Sequence, residues 1–197
     1  MDVELRTLVG DELTDALPAL ARLRVEVFRE WPYLYDGDAD YEERYLEGFA
    51  DARDAVIVGA FDGERMVGAA TGCPLTEADA AFARPFADAG LDPSDWFYFG
   101  ESVLEASYRG RGIGVRFIHE REAAARERFF RRTCFCAVAR AEDDARRPDG
   151  YQALDGFWRR RGYRPLGLTA FYGWRDLGAA DETAKAMRFW GRELPAD

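Results

Sequence analysis

The hexapeptide RGRGIG at residues 109–114 joins a strand-like apolar run, WFYFGESVLEAS, to a helical pattern, VRFIHEREAAAR. Glycine-rich turns that open a helix make anion sites, because the first amides of the helix lack acceptors and its dipole favours negative charge there. Phosphate is therefore the first ligand to consider, and spacing separates the kinds of phosphate loop. A GxxxxGK[ST] loop needs a lysine, and Lys185 is the only lysine in the chain. The dinucleotide fingerprint GxGxxG would put its third glycine at Val115, where this loop runs GxGxG instead. The pattern that fits is [RQ]xxGx[GA], occupied by Arg109, Gly112 and Gly114.

The other reactive side chains narrow the chemistry. His119 is the sole histidine, and Cys73, Cys134 and Cys136 contain no CxxC pair, which argues against a Cys/His zinc site and against a histidine-dependent triad. No metal is expected. Cys134 and Cys136 share one face of an apolar strand and read as small buried residues, while His119 falls on the outer half of its helix. Carboxylates, tyrosines, thiols and backbone amides are left to do the work. With 27 basic and 37 acidic residues the net charge is −10, which disfavours nucleic acid and anionic membranes as partners. It suits a cationic small substrate, or it reflects solubility alone. The acidic start MDVELR is unlike a signal peptide, and no apolar run approaches the ~18 residues of a membrane span, so a cytoplasmic protein is expected.

These residues need a scaffold, and 197 residues with 48% hydrophobic content suit one domain, taken as residues 1–197. Residues 3–8 read as a strand and 11–28 as a helix containing Pro18, followed by the loop WPYLYDGDAD and a second helix carrying Tyr41, Tyr45, Leu46 and Phe49. Residues 55–62 and 66–72 form a hairpin. A helical insert with Thr76 as its N-cap follows, and it serves as a lid over the site or as an anchored excursion. Then come a strand at 96–104, a helix at 112–128, a buried strand at 133–139, and a short helix closed by Gly162 as its left-handed cap. LTAFYGW and AKAMRFW close the chain as strands. The fold class is α/β: a mixed central sheet of about seven strands flanked by helices, with the insert between the third and fourth strands. The last strand, with Met187, Phe189 and Trp190, completes its own sheet or pairs with a second copy, so a homodimer stays open.

In this context ESVLEASYRGRGIG resembles the central motif of the GNAT superfamily of N-acetyltransferases, with an acidic residue, a hydrophobic pair, a short bend and YRGxGxG. GFWRRRGYRPL is similar to the family's later helix motif, in which an aromatic residue stands four positions before a Gly-aromatic pair, here Trp158, Gly162 and Tyr163. The Trp-rich ending is similar to that of a bacterial branch of the family. The resemblance implies acetyl-CoA as acyl donor, its pyrophosphate on Arg109, Gly110, Arg111, Gly112, Ile113, Gly114 and Val115. It further implies that the fourth strand splays near Val103 and Leu104 to expose amides to the thioester, and that Phe157 and Trp158 flank the cofactor.

Direct acetyl transfer to an amine needs a base, because an amine of pKa ~10 is mostly protonated at neutral pH. Glu101 is the first candidate and Glu105 the second; the competing reading of Glu101 is an ion pair with one of the many arginines. Many family members carry Tyr where this chain has Trp158, and an indole NH is no acid for a thiolate. Tyr151 heads the substitutes, with Tyr163, Tyr172, Cys134, Cys136 or water behind it, and Trp158 otherwise packs. The resemblance puts the acceptor, a small-molecule amine, beside Trp31, Tyr33, Tyr35 and Asp36, with Asp38 and Asp40 adjacent; rings and carboxylates together suit an ammonium. The competing reading there is an acidic helix start with tucked aromatics. As a whole, the chain is expected to be an acetyl-CoA-dependent N-acetyltransferase, with a non-catalytic acyl-CoA-binding module as the alternative.

Overall fold

In the computed structural model, which describes residues 3–195, strand β1 (Glu4–Leu8) leads into α1 (Asp11–Phe28). Leu13, Leu17, Leu20 and Leu23 recur at helical spacing on the buried side of α1, and Pro18 sits within it. Asp38 caps α2 (Ala39–Ala50), its carboxylate accepting the Tyr41 amide at 2.9 Å. Strands β2 (Val56–Asp62) and β3 (Arg65–Pro74) form the expected hairpin.

The insert begins with a 3-10 turn, Leu75–Glu77, and α3 (Ala80–Asp88) starts later than expected. Asp79, not Thr76, is its cap: Ala78 is extended, and the Asp79 carboxylate takes the Ala81 amide at 2.8 Å. Phe82 stacks between Tyr98 and Tyr172, with centroids 5.3 Å away on both sides, and Phe86 meets Trp96 and Phe189 edge-on, so the insert is docked on the sheet.

Strand β4 (Trp96–Leu104), helix α4 (Ile113–Glu127) and strand β5 (Arg132–Val138) make the β-α-β unit, followed by α5 (Asp155–Arg159), β6 (Arg164–Arg175) and β7 (Glu182–Glu193). Gly162, at φ 84°, ends the α5 segment. The sheet order is β1-β2-β3-β4-β5-β7-β6, and β4–β5 is its parallel pair. Because β7 is paired on both sides, with β5 and β6, it completes its own sheet and offers no edge to a second copy.

Helices α1, α2 and α3 cover one face of the sheet with Leu20, Leu23, Leu46 and Phe86. Helices α4 and α5 cover the other, where Phe97, Phe99 and Tyr163 are buried. Along β4, Trp96 and Tyr98 face the first layer while Phe97 and Phe99 face the second. Past them the alternation changes sense, because Val103 joins the first layer. The cause is a β-bulge: Gly72 pairs with Phe99 and Ala70 with Ser102, so β4 spends one residue more than β3 over this stretch.

Candidate functional site

Strand β4 ends in a 3-10 turn, Ala106–Tyr108, and the loop then turns twice through left-handed glycines, Gly110 at φ 76° and Gly112 at φ 79°. Gly112 is the N-cap of α4, and no side chain caps that end. The amides of Ile113 and Gly114 are left for an outside acceptor, whereas the expected Val115 amide turns onto the Gly112 carbonyl at 3.0 Å, and a Cβ added at Gly110 or Gly112 would meet nothing within 4 Å. The loop has the space and the donors for a pyrophosphate. Gly114 lies inside the first turn, where a Cβ would touch Phe157 at 3.7 Å, which puts Phe157 beside the loop.

The two arginines of the loop differ in role. Arg109 forks onto Glu30 (2.6 and 3.1 Å), and its Nε donates to the Leu104 carbonyl (3.1 Å), so it ties the loop to the end of α1. Arg111 is exposed, with one bond to the Ser107 carbonyl (2.8 Å) and its guanidinium 5.1 Å from the Tyr108 ring centre.

Strands β4 and β5 pair only over Trp96↔Arg132, Phe97↔Thr133 and Tyr98↔Cys134. Beyond Tyr98 they separate, while β5 continues along β7 to Val138. The Glu105 amide bonds the Val67 carbonyl at 3.0 Å, so by the antiparallel alternation Val103 also turns its amide to β3 and Leu104 turns its amide into the gap. The fourth strand thus presents an unladdered edge immediately before the glycine loop.

On the first-layer face a cavity of about 300 Å³ opens beside the bulge. Tyr45, Phe49, Phe82 and Tyr98 supply its rings, and its charged lining, Glu77, Asp79 and Glu101, is entirely acidic. The bulge turns Glu101 to this side; without the extra residue, position 101 would share the α4 face with Phe97 and Phe99. Glu101 has no partner in the β3–β4 register, and its amide donates instead to Thr71 Oγ1 at 3.2 Å. Its carboxylate meets the guanidinium of Arg24 at 2.7 Å, and Arg24 also holds the fully buried Glu42. Burial opposes the charge of Arg24, but Glu101 and Glu42 outweigh it and keep the group above the usual guanidinium range.

The remaining expected residues fall in three places. Glu105 is bound by Arg65 (2.6 Å) and Arg22 (3.2 Å) and is not part of the cavity lining. Trp158 packs on Phe135 and Trp190 at 5.0 and 5.1 Å, within the aromatic cluster under α5. Tyr151 lies on the loop before α5, edge-on to Trp31 at 6.1 Å, and burial raises its hydroxyl pKa.

The loop of Trp31, Tyr33, Tyr35 and Asp36 is pinned rather than open. Asp36 pairs with Arg175 (2.9 Å) and Arg29 (3.6 Å), Tyr35 bridges to Asp176, and Tyr33 packs on Phe28 and Trp174. Arg140 donates to the carbonyls of Pro32 (2.9 Å) and Tyr33 (2.7 Å) and to both oxygens of Asp176. None of these residues lines the cavity, and the lining falls instead to Tyr45, Phe49 and Tyr98, which sequence periodicity placed only in a helix and a strand. Arg24 was discoverable: it sits four positions after Leu20 in the apolar stripe of α1.

Cys134 and Cys136 are buried as expected, and burial pushes the Cys136 thiol up to about 12; His119 is exposed. Among the described residues no group of His, Cys, Asp and Glu could hold a metal ion, and no helix is long and apolar enough to cross a membrane.

The family model for the acetyltransferase (GNAT) family matches residues 19–148, and the chain belongs to that family. Similar solved structures agree in fold over nearly the whole chain. An N-acetyltransferase from Staphylococcus aureus Mu50 superposes with a TM-score of 0.62 at 14% identity, covering 99% of this chain and 100% of the other. A ribosomal-protein-alanine N-acetyltransferase from Brucella melitensis gives 0.62 at 18% identity, covering 97% and 99%. A structure from Salmonella typhimurium with its cofactor acetyl-CoA gives 0.61 at 11% identity, covering 100% and 96%. A search of the curated proteins matches nothing.

Proposed function

We propose that the protein transfers the acetyl group of acetyl-CoA directly to the amine of a small molecule. The observation that carries this reading is the convergence on β4: the glycine cradle, an amide turned into the β4–β5 gap and an acidic, ring-walled cavity are set by one strand. Acetyl-CoA supplies an activated acyl group on a thiol leaving group. The chain's own part is to hold the pyrophosphate on the amides of residues 112–114, to donate from the Leu104 amide to the carbonyl oxygen as it gains charge, and to admit the acceptor through the cavity. Glu101 takes the amine's proton, directly or through water, the amine nitrogen bonds the acetyl carbon, the C–S bond breaks, and water protonates the departing thiolate. Aromatic walls and acidic lining favour a cationic amine carrying some apolar surface.

A second reading, acyl-CoA binding without transfer, is favoured by Trp158, whose indole stands where the family has its acid and packs among rings instead. Calorimetric titration with acetyl-CoA, with Gly112→Asp as control, tests the cradle. An aspartate there sets a negative charge against the phosphates at a φ of 79°, and binding weakens at least about tenfold. Equal affinity in both proteins refutes the assignment, and turnover of a panel of amines then separates enzyme from binding module.

A further inference from the structure

Arg121 of α4 is 3% exposed. Among the described residues its bonds go to three carbonyls and one hydroxyl and to no carboxylate, and burial drives its guanidinium down to about 10. An unpaired buried cation is costly where an apolar side chain of that length could fill the space, so its bonds should show what it does. Nε donates to the Phe117 carbonyl of its own helix (3.2 Å), and the other nitrogens donate to the Thr71 carbonyl (3.1 Å), the Glu101 carbonyl (3.4 Å) and Ser102 Oγ (2.8 Å). The Phe99 ring lies 4.3 Å beneath it. All the acceptors outside α4 lie in the bulge or opposite it. The bulge removes Thr71 and Glu101 from the regular ladder, and Arg121 takes up the carbonyls this leaves.

We infer that Arg121 is a positioning residue: it holds the β4 bulge in register from the helix that begins with the glycine cradle, and so keeps Glu101 on the cavity face and the Leu104 amide in the gap. Donor loop, bulge and proposed base then move as one body. Lysine cannot replace it, because one nitrogen cannot reach Phe117, Thr71 and Ser102 together.

The test compares Arg121→Lys and Ser102→Ala with the wild-type full chain, by hydrogen exchange and by kinetics. The hydrogen-bonded amides of residues 99–103, Glu101 and Val103 among them, exchange at least about tenfold faster in Arg121→Lys, with α1 and β6–β7 unchanged, and Ser102→Ala shifts the same segment less. The kinetic arm rests on the transfer reading: acetyl-CoA affinity stays within about threefold while kcat falls at least about tenfold. Unchanged exchange at 99–103 in both variants, or a rise spread evenly over the chain, overturns the inference. A fall in affinity equal to the fall in kcat also overturns it, since Arg121 would then serve the cofactor loop alone. If Arg121→Lys does not fold, unchanged exchange in Ser102→Ala overturns it and local loosening supports it. Wild type that turns over no amine defeats the transfer reading, and exchange alone then decides this one.

Discussion

Replacing Asp176 by Asn removes one anion and leaves two buried cations, Arg140 and Lys185, without a carboxylate, while Arg146 keeps Asp144. The carboxylate is held by both arms of Arg140 (2.8 and 2.9 Å), by Arg146 (2.7 Å) and by Lys185 (3.2 Å). Arg140 and Lys185 are 10% and 5% exposed and cannot recover their hydration, whereas Arg146, at 46%, turns to water and adds little. Breaking such a buried arrangement from one side costs about 3–5 kcal/mol. For a domain of this size that is a fall in Tm of about 6–20 °C. Burial raises the Asp176 carboxyl, but hydrogen bonds from Arg140, Arg146 and Lys185 outweigh it and hold the group far below the usual carboxylate range. Its folded value being depressed, the stabilisation is complete above the unfolded value near ~3.9 and fades as pH falls through the folded one. The gap between wild type and variant therefore narrows by about 1.4 kcal/mol per pH unit below ~3.9, or about 1.2 kcal/mol by pH 3. Differential scanning fluorimetry at pH 7 and pH 3 reads both effects. A Tm difference below about 2 °C at pH 7, or one that does not narrow at pH 3, refutes the reasoning.

Three further outcomes follow from the site and core. Glu101→Gln lowers kcat by about 10²–10⁴ with acetyl-CoA affinity unchanged; an unaltered rate would remove Glu101 as the base. Gly100→Ala sets a Cβ 2.5 Å from Thr71 Oγ1 and costs about 1–3 kcal/mol in urea unfolding, a cost that shrinks in a Thr71→Ala background, whereas additive effects would contradict the contact. Cys73 and Cys136 have thiols pushed up to about 12 by burial, and Cys134 is fully buried, so at pH 8 the native protein reacts with a disulfide reagent at most about a hundredth as fast as the unfolded chain. Prompt reaction of even one thiol in native protein would show that the strand opens.

The parts of this protein legible in its sequence are those encoded by neighbours in the chain. RGRGIG works through local backbone conformation, with Gly110 and Gly112 in the left-handed region that glycine enters without strain. The element order was legible for the same reason, since amphipathic period is local. Thr76 failed as a cap because an extended Ala78 hands that role to Asp79, a contest between near-equal caps that sequence does not decide. Glu101 shows the harder limit. Counting by twos along WFYFGESVL puts it with Phe97 and Phe99 on the α4 face, yet it lines the opposite cavity. One local signal was present: Gly100, a lone glycine inside an apolar strand, where a Cβ would strike Thr71. That glycine permits a bulge but does not say which side of the sheet gains from it. The answer comes from residues far away in sequence, Arg24 drawing the carboxylate to one face and Arg121 taking the freed carbonyls on the other. Both arginines interrupt the apolar stripes of their helices, and both reach the segment where β4 leaves its ladder.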